Sequence, residues 1–374
     1  MDSMRHRIVM GALAAGIAAL VAVGLWKTQG SDPLLEPVVS KPWGIMGTQT
    51  RLTAVVRADQ KYMADEALRE AEAALRDVQA KMDYRIEGSD IRRLNTAAEE
   101  EFVPMSPETL EVLEAARRLL GETDGAFDVT IGPILEVWIR AERHNALPTT
   151  EQLVAARERS NWGMIELHEY GAVRHTETAR VDLGGIAKGY GIDRAVQVLR
   201  DAGCTGGQVN VGGDLRCFGL PPDRGAWPVH VRNPFDNSAM LATLKIREGA
   251  VCTSGSYERN YKIGGQRYSH IVDPRPGPRT GMALPPDATP PSVTVVAPTA
   301  MIADGWATAL SVLGAEGLRL IPRDSGIEAM VVTGSTEDYT CRWTAGFEEL
   351  LAAPPKMPAR PKHGAAAAIQ AARP

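Results

Sequence analysis

The sequence predicts an α+β domain of mixed sheets and helices, preceded by an N-terminal membrane anchor or signal helix. Three observations carry this. Segments with period-two alternation and segments with apolar residues at helical spacing follow one another, without the regular βα alternation of a doubly wound fold. The composition, 44% hydrophobic and 23% charged over 374 residues, suits a folded core. One long apolar run lies behind a basic start within residues 1–30.

That run comes first along the chain. Arg5, His6 and Arg7 precede an apolar stretch from Ile8 to Trp26, and Lys27 follows it. Its length, about 19 residues, is near what spans a bilayer. A basic start before such a run reads as an export signal. Val23-Gly24-Leu25-Trp26 is a poor cleavage site, so an uncleaved anchor is expected. The positive-inside rule then puts the chain from about Gly30 onward outside the cytoplasm; the expected location is an inner membrane, with the domain on its periplasmic side. Residues 31–43 contain prolines and read as an irregular spacer. Residues 44–352 read as the folded domain. Residues 353–374, rich in Pro, Ala, Lys and Arg, read as a disordered tail.

Within the domain, Thr50–Arg57 alternates like a strand, and residues 63–82 carry apolar positions at helical spacing. Residues 107–120 read as a helix capped by Ser106, with Pro107 at its first position and Gly121 after its end. A third helix is expected over residues 150–159. A strand-like approach to Val181-Asp182 enters a glycine turn and then a helix over residues 188–199. Strands are expected at 207–211, 228–231, 241–246, 251–253, 293–297 and 329–332. A helix entered from Pro298 is expected over residues 299–313.

The formal net charge of −5 gives no support to nucleic-acid binding, which needs a basic face. Cys204, Cys217, Cys252 and Cys341 match no zinc spacing. They suit either disulfides in an oxidising compartment or small buried hydrophobes.

Several stretches combine glycines with acids or hydroxyls beyond what turns require. Met46-Gly47-Thr48 precedes a strand. Gly125-Ala126-Phe127-Asp128 sets an aromatic and an acid beside glycine, where backbone can approach a flat ligand. Asp182-Leu183-Gly184-Gly185-Ile186-Ala187-Lys188-Gly189-Tyr190 is a glycine turn opening a helix, a place that favours anions. It is neither a Walker A sequence nor a dinucleotide fingerprint. In Asn210-Val211-Gly212-Gly213-Asp214 the acid either orients a ligand or caps a turn. Thr253-Ser254-Gly255 and Ser269-His270-Ile271-Val272-Asp273-Pro274-Arg275 follow. His270 reads as a proton shuttle or as a strand histidine. Asp304 and Thr308 are four apart and share one helical face. A carboxylate and a hydroxyl together suit a hard cation such as Mg²⁺; the alternative is an acid serving the helix dipole and a core-facing Thr.

Together with Tyr84-Arg85, Ser89 and Arg93-Leu94-Asn95, these motifs resemble, in content and order, the FAD:protein FMN transferase (ApbE-like) family across roughly residues 44–350. The resemblance implies an ApbE-type α+β fold and an enzyme that moves FMN from FAD to a Thr or Ser of an exported acceptor protein, releasing AMP. It implies that Asp304, Thr308 and a main-chain oxygen of Gly185 hold Mg²⁺, for which Mn²⁺ can substitute. Met46, Tyr84, Ala126, Phe127, Asp128, Asp182, Lys188 and Ile271 would surround FAD, and His270 would be the base for the acceptor hydroxyl. Two other functions are alternatives: an Mg²⁺-dependent FAD pyrophosphatase, which needs the same metal site with water as nucleophile, and a non-catalytic exported flavin-binding protein, which needs the aromatic and glycine features but not Asp304 and Thr308, whose joint presence counts against it. The sequence departs from the family where Asp273-Pro274 runs on through Arg275, Gly277 and Arg279 to Thr280-Gly281, as if extended.

Overall fold

The computed structural model describes residues 34–221, 225–255, 260–277, 281–282, 290–356 and 370–371. The expected anchor at residues 1–30 lies outside them. Among the described residues, no helix is long and apolar enough to cross a membrane.

A sheet of ten strands among the described residues organises the fold. Numbering along the chain and reading across the sheet, it runs β1 (Leu35–Val39), β3 (Thr48–Arg57), β7 (Gly206–Val211), β8 (Asp214–Gly219), β11 (Gly249–Gly255), β14 (Ser292–Ala297), β15 (Glu328–Gly334), β16 (Tyr339–Trp343) and β18 (Gln370–Ala371). β2 (Trp43–Ile45) pairs only with β3. Every pairing is antiparallel except β16 with β18. A sheet of β9 (Trp227–Asn233), β10 (Asp236–Ile246) and β17 (Leu351–Ala353) lies against it. A third sheet joins β4 (Phe102–Pro104), β5 (Ile165–His168) and β6 (Gly171–Arg174), and β12 (Asn260–Ile263) pairs with β13 (Gln266–Ser269) as a separate hairpin.

The helices are α1 (Lys61–Met82), α2 (Asp90–Thr96), α3 (Pro107–Glu122), α4 (Gly132–His144), α5 (Thr150–Glu158), α6 (Ala187–Asp201), α7 (Ala300–Leu313) and α8 (Phe347–Leu350). α1, α6 and α7 cover one face of the large sheet, and the β9–β10–β17 sheet covers the other. Strand alternation shows this directly. Val293 and Val295 of β14 join the helix-side core, whereas Val296 joins the other. With both faces covered, β14 is buried at every position, which suits its valines and leaves only the small hydroxyls of Ser292 and Thr294 as polar groups.

Two expectations need correction. Residues 31–43 are not an irregular spacer throughout, because Leu35–Val39 pairs in register with β3 and Trp43 starts β2. Pro37 is tolerated there because β1 is an edge strand. The tail expected at 353–374 begins inside β17 and contributes β18, so at those residues it is sheet rather than disordered chain. The four cysteines are free and buried, in keeping with the hydrophobe reading.

Candidate active site

The site is built where α6 and α7 meet. Thr299 caps α7, its hydroxyl accepting the Ile302 N–H at 3.3 Å. Asp193 of α6 accepts the N–H groups of Ala300 (2.8 Å) and Met301 (2.9 Å), satisfying donors that a helix start leaves open. Arg216 of β8 neutralises the same carboxylate at 2.8 Å. The backbones then come very close. A Cβ on Gly189 would lie 2.2 Å from the Ala300 carbonyl, so only glycine fits. The Gly189 N–H donates to Asp304 Oδ2 at 3.0 Å, and Asp304 is buried.

The glycine turn faces the same helix one turn later. Asp182 Oδ1 accepts the Gly184 N–H at 2.7 Å and closes the turn. A Cβ on Gly185 would meet Thr308 Oγ1 at 3.1 Å and the Phe127 ring at 3.3 Å. The sequence placed a strand before this turn, but residues 179–182 join no sheet. Instead the Asn95 side chain imitates a neighbouring strand: its amide donates to the Val181 carbonyl (2.8 Å) and its oxygen accepts the Val181 N–H (2.7 Å). The Asp182 N–H donates to the Val129 carbonyl at 2.8 Å, tying the turn to the Phe127 loop.

Lys188, second in α6, forms an ion pair with the buried Asp214. Burial works against its charge, but the carboxylates of Asp214 and Asp304 outweigh this and raise its pKa above the ordinary lysine value. Asp214 also accepts the Thr253 N–H at 2.7 Å, so it joins α6 to β11 rather than capping a turn.

The remaining predicted residues line the approaches. Met46 takes a left-handed backbone, φ 49°, and its methyl lies 3.2 Å from where a Gly191 Cβ would be. Tyr84 is partly buried. Its phenol is pushed up by burial and then by the charge of Asp182. Ala126 and Phe127 are buried. Asp128 accepts Thr130 N–H and O–H at 2.8 and 2.7 Å, yet burial still holds its carboxyl above the usual range.

His270 follows β13 and is partly buried. Beyond it, Arg275 grips Asp273 with two hydrogen bonds of 2.9 and 2.7 Å. The Gly281 N–H donates to the Asp273 carbonyl at 2.8 Å, and the Asp273 N–H to Met282 at 3.2 Å. The extended stretch therefore leaves and returns at Asp273, with Arg275 paired to the acid and Gly281, φ 65°, closing the return.

The structure thus brings Gly185, Thr308 and Phe127 together. It links Lys188 and Asp304 through α6, and it sets Asp182 near Tyr84. Sequence reading missed Asn95 as a backbone mimic and Asp193 as a helix cap. Only the third dimension shows these roles, since their partners lie over 80 residues away in Asn95 and over 100 in Asp193. Among the described residues, no three His, Cys, Asp or Glu side chains group to hold a metal ion. Carboxylate, hydroxyl and carbonyl oxygens are the donors that a hard divalent cation prefers, and Asp304, Thr308 and Gly185 fit that chemistry.

The model of the ApbE family matches residues 46–331. The FAD:protein FMN transferase of Vibrio cholerae is 30% identical over 297 residues, covering 79% of this chain and 86% of the relative. That of Haemophilus influenzae is 27% identical over 346 residues, covering 89% and 97%. Among solved structures, the flavin transferase ApbE of Vibrio cholerae aligns with a TM-score of 0.71 at 27% identity, over 85% of this chain and 100% of that one. The ApbE protein of Thermotoga maritima aligns at 0.73 and 27%, over 84% and 99%. By sequence over most of its length and by fold, the chain belongs to the ApbE family.

Proposed function

We propose that this protein transfers FMN from FAD to a Ser or Thr hydroxyl of an acceptor protein and releases AMP. The observation that carries the proposal is the contact of the Gly185 turn with Thr308, one helical turn from the buried Asp304. Relatives named FAD:protein FMN transferase support the same reading.

Asp304, Thr308 and the main-chain oxygen of Gly185 would hold Mg²⁺, or Mn²⁺ in its place. When bound, such an ion neutralises charge on the pyrophosphate oxygens. Met46, Tyr84, Ala126, Phe127, Asp128, Asp182, Lys188 and Ile271 would hold FAD. His270 would take the proton of the acceptor hydroxyl as its oxygen attacks the FMN phosphorus. The phosphorus–oxygen bond to the AMP phosphate breaks, and AMP leaves. No flavin redox change occurs.

The apolar run from Ile8 to Trp26 behind Arg5 and Arg7 supports a tether to the inner membrane, with the domain and its acceptor on the periplasmic side. Fractionation of cells with and without residues 1–30 tests this; equal recovery in the membrane fraction would refute it.

The activity is tested with the purified chain, FAD, Mg²⁺ and an exported redox-subunit domain expressed without flavin. Intact mass is read for the wild type and Asp304→Ala. A gain of one FMN by the acceptor, lost in the variant, supports transfer. AMP and free FMN without labelling favour pyrophosphatase action, and FAD binding without cleavage favours a binding protein.

A further inference from the structure

Between Ser269 and Asp273 the chain threads between two hydrophobic clusters. Ile271 joins the main core that holds Phe127, Ile186 and Ala303. Val272 joins a separate cluster formed by Ile134, Trp138 and Ala141 of α4, Leu153 and Ala156 of α5, and Ile263 of β12. His270 stands at this seam. The Lys188 and Asp304 helices are seated in the main core. The β12–β13 hairpin that delivers His270 is seated on α4.

Its fastening to α4 is specific. Glu142 Oε1 accepts the Lys262 N–H at 2.8 Å. Asn145, the left-handed residue that ends α4, accepts the Gly264 N–H through Oδ1 at 2.7 Å. Trp138 stacks on Tyr261 with ring centroids 5.7 Å apart, and meets Tyr268 at 5.6 Å. Its indole N–H donates to the Gly281 carbonyl at 2.7 Å and so pins the returning end of the segment. Lys262 pairs with Arg267 and Gly264-Gly265 make the turn, so both side-chain acceptors hold the hairpin at its tip.

We propose that Glu142 and Asn145 at the end of α4 are positioning residues for His270: they fix the hairpin so that the imidazole meets an acceptor hydroxyl over a phosphorus held by the main core. The inference rests on the reading of His270 as the base. Both side chains are exposed and lie outside the FAD-surrounding set, so their loss moves the base without dismantling the core. Proton transfer by a side chain contributes roughly 10²–10⁴-fold and depends on hydrogen-bond reach, so a displaced hairpin lowers turnover rather than FAD binding.

The test compares four full-length proteins: wild type, Glu142→Ala/Asn145→Gly, Glu142→Gln/Asn145→Asp, and His270→Ala. Glycine keeps the left-handed backbone at 145 and removes the acceptor, whereas Gln and Asp keep an acceptor oxygen at each position. Transfer is measured with the same flavin-free acceptor domain, and FAD affinity by quenching of flavin fluorescence. The expected result is a fall in kcat of about tenfold or more in the Ala/Gly pair, with KM and affinity for FAD within about twofold of wild type and kcat recovered in the Gln/Asp pair. Unchanged kcat in the Ala/Gly pair overturns the proposal. So does a loss of FAD affinity matching the loss of kcat, or failure of the Gln/Asp pair to recover. Full activity in His270→Ala instead removes the underlying reading of the base, and is distinct from those outcomes.

Discussion

The Gly189 N–H donates to Asp304 Oδ2 at 3.0 Å, so the first turn of α6 holds in place a carboxylate carried by α7. Replacing that carboxylate loses two functions at once. Asp304→Ala abolishes transfer and leaves a buried N–H without its partner, at a cost of about 1–3 kcal/mol. Asp304→Asn keeps an acceptor oxygen for Gly189 and recovers much of the stability, while transfer stays lost because the charge is gone. Urea unfolding alongside acceptor labelling separates the two effects.

Gly185→Ala places a methyl 3.1 Å from Thr308 Oγ1 and 3.3 Å from the Phe127 ring. The neighbours must give way, and overpacking of this kind costs roughly 1–3 kcal/mol. Transfer falls on the order of tenfold or more, because the turn and Thr308 no longer keep their spacing. The dependence of rate on Mg²⁺ shifts to higher concentration. An unchanged Mg²⁺ dependence would count against Gly185 and Thr308 sharing an ion.

Lys188→Met strands Asp214, which is buried and paired with Lys188. Removing one partner of a buried pair costs roughly 3–5 kcal/mol. The double variant Lys188→Met/Asp214→Asn is more stable than Lys188→Met alone, since no unpaired charge is left. Chemical denaturation of the four members of this cycle measures the coupling.

Asp90 gives the acid limb. Burial pushes its carboxyl up, but hydrogen bonds from Ser106, Thr109 and Arg93 outweigh this and hold it below the usual carboxylate range. A carboxyl lowered in the folded state stabilises above its unfolded pKa, about 3.9, and that stability disappears as pH falls through the folded value. Asp90→Asn is therefore most destabilised relative to wild type above about pH 5, and the gap narrows below about pH 4. A gap independent of pH rules out this ionic role.

Cys204, Cys217, Cys252 and Cys341 are free and buried. Burial raises the thiols of Cys217 and Cys341 to about 12, which keeps them protonated and unreactive. Adding a reductant leaves the melting temperature unchanged, and thiol titration of the unfolded chain finds all four.

Local signals were legible where local chemistry decides structure. Ser106 caps α3 and Pro107 begins it, as the sequence indicated. Thr299 and Pro298 marked the start of α7, and with it the common face of Asp304 and Thr308. The chain from Ala179 to Asp182 alternates small or apolar with charged residues and read as a strand-like approach, yet its backbone partner is a side chain, Asn95. No periodicity encodes that. α4 was missed although Pro133 stands in its first turn, because the stretch from Gly125 to Asp128 just before it read as a ligand-approach motif and nothing was assigned directly after it. The β12–β13 hairpin was missed despite Gly264-Gly265 between Tyr261 and Tyr268, a two-residue turn signal. Missing both hid the elements that carry and seat His270.

If the run from Ile8 to Trp26 is the proposed anchor, the pairing of β1 with β3 also sets how far the domain can stray. With an anchor at Ile8–Trp26, the leash is only Lys27 to Leu34, since Leu35 is already stitched to Arg57. Fully stretched, that leash reaches about 28 Å. The catalytic body would hover within its own diameter of the lipid surface, and its acceptors would have to come to it there.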